Sequence, residues 1–204
     1  MRMAKWLAGA MALFVLIGVT PASHGAAGRD PGAVPDVTLT VRDLRGREQA
    51  PFKLDGRAAS VLFFLTHDCP ISNRYAPEIL RIVRDYQPRK VRFYLVYVDP
   101  AAGVPALEAH RREFGLSEVP AVLDARHALV AAVGASVTPE VAVVGPQGHI
   151  LYRGRIDDGY AALGKARRQV TRRDLRAALD AVLGGKKIAT PRTEAIGCYI
   201  NPQN

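Results

Sequence analysis

Val61-Leu-Phe-Phe-Leu-Thr-His-Asp-Cys69-Pro-Ile-Ser-Asn-Arg-Tyr-Ala-Pro77 is an apolar run that meets a cysteine and then changes period. Five consecutive apolar residues bounded by polar ones read as a fully buried strand. After Cys69, the apolar residues Ile71, Tyr75, Ile79, Ile82 or Val83, and Tyr86 recur at helical spacing. Pro70 suits a first helical position, where its missing N–H costs nothing, and Pro77 predicts a kink. The sulfur therefore sits at a helix start, at the carboxyl end of a buried strand. A helix N-terminus favours an anion, so thiolate forms there more readily than from a free cysteine. Thiolate is the form that attacks disulfides and peroxides and binds soft metals.

Outward from this junction the chain alternates strands and helices. Val37–Arg42 alternates apolar and polar residues, with turns at Gly46 and Gly56. Val91–Val98 reads as a central parallel strand, Val104–Phe114 as a helix stopped by Gly115, and Pro120–Leu123 as a short strand. His127–Val133 is a short helix closed by Gly134. Glu140–Val144 and His149–Arg155 form a hairpin about Gly145-Pro-Gln-Gly148. Thr171 is placed to cap a last helix whose stripe is Leu175, Leu179, Val182 and Leu183, ended by Gly184-Gly185. The order β-β-α-β-α-β-α-β-β-α implies an α/β fold, a central mixed sheet flanked by helices.

The chain has 204 residues, 49% of them hydrophobic, enough for one domain with a sizeable core. Residues 1–27 follow the charge–apolar–small order of a secretory signal: Arg2 and Lys5, then Trp6 to Val19, then Ser23, Gly25, Ala26 and Ala27. A linker at 28–35, a domain at 36–185 and a tail at 186–204 complete the division. The tail carries Cys198 and no clear secondary structure. The expected location is periplasmic or secreted. Removing Arg2 and Lys5 lowers the net charge from +9 to +7. Lys165–Arg176 concentrates six basic residues against one acid, a solvated face or a site for an anionic partner. Nucleic acid is not expected. The pair Asp157-Asp158 reads as a loop tip, His110 and His127 as packing or surface residues, and His149 as solvated. No cofactor or haem motif occurs. With only Cys69 and Cys198, an oxidising compartment also permits a plain structural staple.

Over residues 36–185 the chain resembles thioredoxin-fold redoxins, the branch of alkyl hydroperoxide reductase-like and thiol-specific antioxidant proteins. Three matches carry the resemblance. Cys69 opens a helix after a buried strand, with Pro77 eight residues on. Val137-Thr138-Pro139-Glu140 stands where the family has a cis-proline against the reactive sulfur. Val143–Gly154 is similar to the family's terminal hairpin. The resemblance implies Cys69 as nucleophile toward a protein disulfide or a peroxide, with Cys198 as resolving cysteine and an external thiol reductant. It also implies a substrate groove shaped by Thr138 and Pro139, and an arginine near the sulfur, Arg155 or Arg153.

The departures from the pattern are specific. The second thioredoxin cysteine is replaced by Ser72, which can hydrogen-bond a thiolate but cannot close a disulfide. The peroxidase pattern keeps Thr66 and Cys69 but has Leu62 in place of its proline. A copper-binding assembly protein of the Sco kind would use His67, Cys69 and Cys198, yet its second cysteine position holds Asn73.

Overall fold

A computed structural model describes residues 36–201; the expected signal and linker, 1–35, lie outside the described residues. The chain opens with β1 (Val41–Arg42) and β2 (Glu48–Gln49), a short antiparallel hairpin turned at Gly46. The buried run becomes β3 (Ala59–Leu65), followed by α1 (Pro70–Tyr86), β4 (Val91–Tyr97), α2 (Val104–Glu113), β5 (Ala121–Leu123) and α3 (Ala128–Val133). Next come β6 (Val137–Thr138), β7 (Glu140–Val144), β8 (Ile150–Gly154), β9 (Tyr160–Ala162), β10 (Lys165–Ala166), α4 (Asp174–Leu183) and β11 (Cys198–Tyr199). The central sheet has the order β5-β4-β3-β7-β8. β3, β4, β5 and the edge strand β8 run in one direction, and β7 alone runs against them. This is the mixed, helix-flanked α/β fold that the residue pattern implied, and it is thioredoxin-like, as the family resemblance implied.

Strand alternation divides the core. Val61, Phe63 and Leu65 face one way, onto Ile79, Ile82 and Tyr86 of α1, Leu107 of α2 and Leu175 and Leu179 of α4. Leu62 and Phe64 face the other way, onto Phe52, Leu129 and Val133. β3 is buried on both faces, which is why its sequence is continuous rather than alternating. α1 runs on through Pro77 as one helix.

Several expectations need correction. The half-buried strand over Val37–Arg42 shrinks to β1, because Asp36 caps the preceding turn through Thr38. Thr171 does not cap α4: its N–H and hydroxyl both go to Asp158, at 2.8 and 2.5 Å, and α4 starts three residues later. Asp157 and Asp158 are not a solvated loop tip but buried anchors. Asp157 accepts from the Tyr75 hydroxyl and the Gly159 N–H; the Thr171 hydroxyl and the Arg172 and Thr171 N–H groups hold the Asp158 carboxyl well below the usual carboxylate range. The basic segment is largely neutralised within the fold. Arg167 pairs with Asp158, Arg172 with Asp174, Arg173 with Glu78, and Arg176 with Glu78 and Asp85.

The tail also gains structure that its sequence does not announce. Arg153 N–H donates to the Pro191 carbonyl and the Thr193 N–H to the Arg153 carbonyl, a parallel bridge along the outer edge of β8. The Thr193 hydroxyl accepts from Arg155 N–H at 3.1 Å and lies 2.6 Å from the Tyr152 hydroxyl. Gly154, at φ +147°, leaves the space that the Thr193 backbone fills; a side chain there would collide with it. Replacing Thr193 by Val removes these hydroxyl bonds at nearly constant shape. The expected cost is about 1–2 kcal/mol in urea unfolding of the oxidised protein. An unchanged midpoint and slope would show that this clip does not hold the tail.

Candidate active site

Cys69 is the N-cap of α1, with extended backbone, and its carbonyl accepts the Asn73 N–H at 3.0 Å. Its sulfur is bonded to that of Cys198, across 129 residues of sequence, with a Cα–Cα separation of 6.3 Å. That distance lies in the range a disulfide permits, so the tail does bring the second cysteine to the first. The Thr138 carbonyl oxygen lies 3.3 Å from Cys69 Sγ, and the Thr138–Pro139 peptide is cis. As a disulfide sulfur carries no proton, this approach is a contact rather than a hydrogen bond in the oxidised state.

Cys198 arrives on a strand. β11 pairs antiparallel with β6, Cys198 opposite Thr138 and Tyr199 opposite Val137, and the Ile200 N–H continues the ladder to the Ser136 carbonyl at 3.0 Å. β6 is itself held rigid from behind. The buried Glu140 carboxylate accepts the Ser136 N–H at 2.8 Å and pairs with Arg153 at 3.3 Å. Arg153 also donates to the carbonyls of Val133 and Gly134.

Thr66 directly follows β3, its hydroxyl 3.3 Å from that of Thr138, which in turn faces the Cys198 carbonyl at 3.5 Å. A cavity of about 420 Å³ lies beside the two sulfurs, lined by Thr66, Cys69, Val98, His127, Cys198 and Ile200. Ser72 is buried one turn beyond Cys69, and its hydroxyl has no hydrogen-bond partner among the described residues. Arg155 is committed elsewhere: its Nε donates to Asp174 at 2.7 Å, tying β8 to the start of α4. His67 turns toward Asp99, 3.5 Å away. Among the described residues no set of three His, Cys, Asp or Glu side chains converges as metal ligands.

Below Cys69 runs a polar chain that sequence reading missed. Asn73 donates its amide to the His67 carbonyl at 3.1 Å, which leaves Oδ1 to accept from His110 Nε2 at 2.8 Å. In the neutral ring, with its proton on Nε2, His110 Nδ1 accepts the Tyr97 hydroxyl at 2.8 Å. Burial, with the nearby His67, lowers the His110 pKa from its ordinary value. Helical spacing around His110 marks a packing residue, and no local signal links it to Asn73, 37 positions away.

The pH consequence has a definite sign. A histidine whose folded pKa is lowered takes up its proton more readily when unfolded. The stability it contributes is present above the unfolded value of about 6.5 and lost as pH falls through the folded value. Unfolding midpoints should therefore drop between about pH 7 and 5 in the wild type, and less steeply in His110→Gln. A His110 ring resonance titrating at or above the free-histidine value would contradict the assignment.

Residues 32–153 match the AhpC/TSA family. A hypothetical protein from Sinorhizobium meliloti 1021 is similar in structure, at TM-score 0.70 and 24% identity over 84% of this chain and 94% of that one. An uncharacterized conserved protein from Geobacillus kaustophilus gives TM-score 0.72 at 23% identity, over 84% and 93%. A secreted Mycobacterium tuberculosis disulfide oxidoreductase homologous to E. coli DsbE gives TM-score 0.53 at 19% identity, over 71% and 96%. At these identities the likenesses establish the thioredoxin-like fold. No curated protein matches.

Proposed function

This chain belongs to the AhpC/TSA family, and from that premise we propose that it is an exported thiol–disulfide oxidoreductase with Cys69 as nucleophile and Cys198 as resolving cysteine. One observation carries the reading. Cys69 is joined to a cysteine presented by an extended strand, paired backbone to backbone with Val137–Thr138 beside Pro139. That is the geometry in which an extended substrate segment would hold its own sulfur against Cys69. It favours a protein disulfide over a small peroxide, for which no strand pairing is needed.

In the reduced protein, Cys69 thiolate at the α1 N-terminus attacks one sulfur of a substrate disulfide. The Cys69–substrate bond forms, the substrate S–S bond breaks, and the departing sulfur leaves as a thiolate that takes up a proton. Cys198 thiolate then attacks Cys69 Sγ, releasing the second substrate thiolate, which is protonated in turn, and closing Cys69–Cys198. Two electrons pass to the substrate, and the two thiol protons end on its sulfurs. Ser72 supplies a hydroxyl for the Cys69 thiolate, and Thr66 orients the Thr138 side of the groove. Arg155 acts through Asp174 as a positioning residue for the β8–α4 corner.

A thiol reductant must reopen the bond, and the two sulfurs differ in access. Cys69 is 2% exposed and lies beneath the tail, whereas Cys198 is partly exposed. The reductant therefore attacks Cys198, and Cys69 leaves as the thiolate that the helix N-terminus stabilises.

The test compares wild type, Cys69→Ser and Cys198→Ser in insulin-disulfide reduction and in peroxide consumption, each with dithiothreitol. Insulin reduction should fall at least about a hundredfold in Cys69→Ser. Cys198→Ser should accumulate a mixed disulfide on Cys69. Peroxide consumption faster than insulin reduction would move the assignment to a peroxidase using Thr66. A Cys69–Cys198 bond that mild reductant leaves intact would make the pair a structural staple and sink the proposal.

A further inference from the structure

Within that assignment, on which this inference rests, the tail also records what the groove accepts. We propose that the groove beside Pro139 selects an extended polypeptide whose reactive cysteine is directly preceded by glycine. Residues 195–201 of the chain itself are its resident competitor.

Gly197 sits where a side chain has no room. A Cβ built there would overlap the Thr138 carbonyl oxygen, and would lie 2.6 Å from the Thr138 carbonyl carbon and 3.1 Å from the Pro139 nitrogen. All three are backbone atoms of a segment fixed by Glu140, so none can swing aside as a side-chain tip would. Gly197 is not among the positive-φ glycines, so it is required for space and not for an unusual backbone conformation. The strand approaches Thr138 this closely because its next residue must bring a sulfur within bonding distance of Cys69. Any chain seated in the same register meets the same carbonyl one residue before its cysteine.

The following positions ask for less. Tyr199 is 76% exposed and is not read by the groove. Ile200 turns back and packs on the cluster that contains Phe52, Leu62 and Phe64. The footprint is therefore glycine, cysteine, any residue, then an apolar residue.

The tail can yield its place without unravelling the domain. Its upstream anchor, Thr193 on β8, is separate from the distal strand. Beyond that anchor, β11 has two residues paired with β6, one further backbone bond from Ile200, and the disulfide. A two-residue strand is weak by itself, so breaking the disulfide removes the main restraint on its departure. Exchange is balanced: once a thiol reductant has opened Cys69–Cys198 and the tail has left, the Cys69 thiolate bonds the sulfur of the seated substrate cysteine, the substrate S–S bond breaks, and its other sulfur leaves as thiolate.

The experiment uses the full chain with Cys198→Ser, its Cys69 charged as the mixed disulfide with thionitrobenzoate. Discharge by thiols is followed through the released coloured thiolate. The probes are a synthetic peptide of residues 195–201, the same peptide with valine in place of its glycine, and 2-mercaptoethanol. Rates are normalised to each probe's rate with free Ellman reagent, which cancels intrinsic thiol reactivity. The glycine peptide should discharge Cys69 at least about tenfold faster than the valine peptide, from the clash at the Thr138 carbonyl. Adding Gly197→Val to the protein should unseat the tail and speed the glycine peptide further.

Equal normalised rates for the two peptides would overturn the selection rule while leaving the oxidoreductase assignment standing. An unchanged glycine-peptide rate on adding Gly197→Val would overturn the tail's role as competitor. A Cys69 that no thiol discharges, 2-mercaptoethanol included, would overturn both this inference and the function it rests on.

Discussion

Two residues of strand pairing between β11 and β6 hold the site together. Cys198 opposite Thr138 sets the register, and one residue of slip would turn its side chain to the other side of the strand. Gly197 allows the approach, Glu140 keeps β6 where it must be, and Thr193 delivers the tail to the correct edge of β8. Each of these residues acts on the sulfur without touching it. A bridge across 129 residues also constrains the unfolded chain, by about 4–5 kcal/mol in the chain-entropy view. Opening it thus changes both the chemistry and the stability of the domain.

The frame around that pairing is stiff on one side and lightly held on the other. β3 is buried along its whole length, and α1 is packed on it through Ile79, Ile82 and Tyr86. Asn73, His110 and Tyr97 brace the first turn of α1 from below with directional bonds between neutral groups. Cys69 therefore has a fixed position. The tail beyond Thr193 has a short ladder, an exposed Tyr199 and a cavity of about 420 Å³ at its flank. A fixed Cys69 sulfur under a lightly held strand is the geometry on which the proposed exchange between chains rests.

Charge is organised inward. The basic stretch at 165–176 looks like a surface for anions when read in isolation, but four of its arginines meet carboxylates of α1, the 157–158 turn or α4. Arg155 and Arg153 follow the same rule, spending their guanidinium groups on Asp174 and on Glu140 with two backbone carbonyls. The buried acids at 78, 158 and 174 are the partners that make such placements tolerable, since an unpaired buried carboxylate is costly.

What could be read from residues alone was local and periodic. The apolar run before Cys69, the helical spacing after it and the hairpin around Gly145 each encode their own geometry, because strand and helix periods depend on near neighbours. The mixed, helix-flanked sheet and the sulfur at a helix start followed from those signals, whereas the thioredoxin-like frame and the place of Thr138-Pro139 came from the family resemblance. Asp157 and Asp158 misled for the opposite reason: turn chemistry marks a loop but cannot say that Thr171 will fold back over it. The tail had no period to read, as its strand is two residues long and exists only because β6 offers an unpaired edge. Whether Cys198 meets Cys69, why residue 197 is glycine and which partners hold Asn73 and His110 depend on segments far apart in sequence. Those contacts were decided by tertiary structure alone, through the packing that brings distant backbones to within a carbonyl's reach.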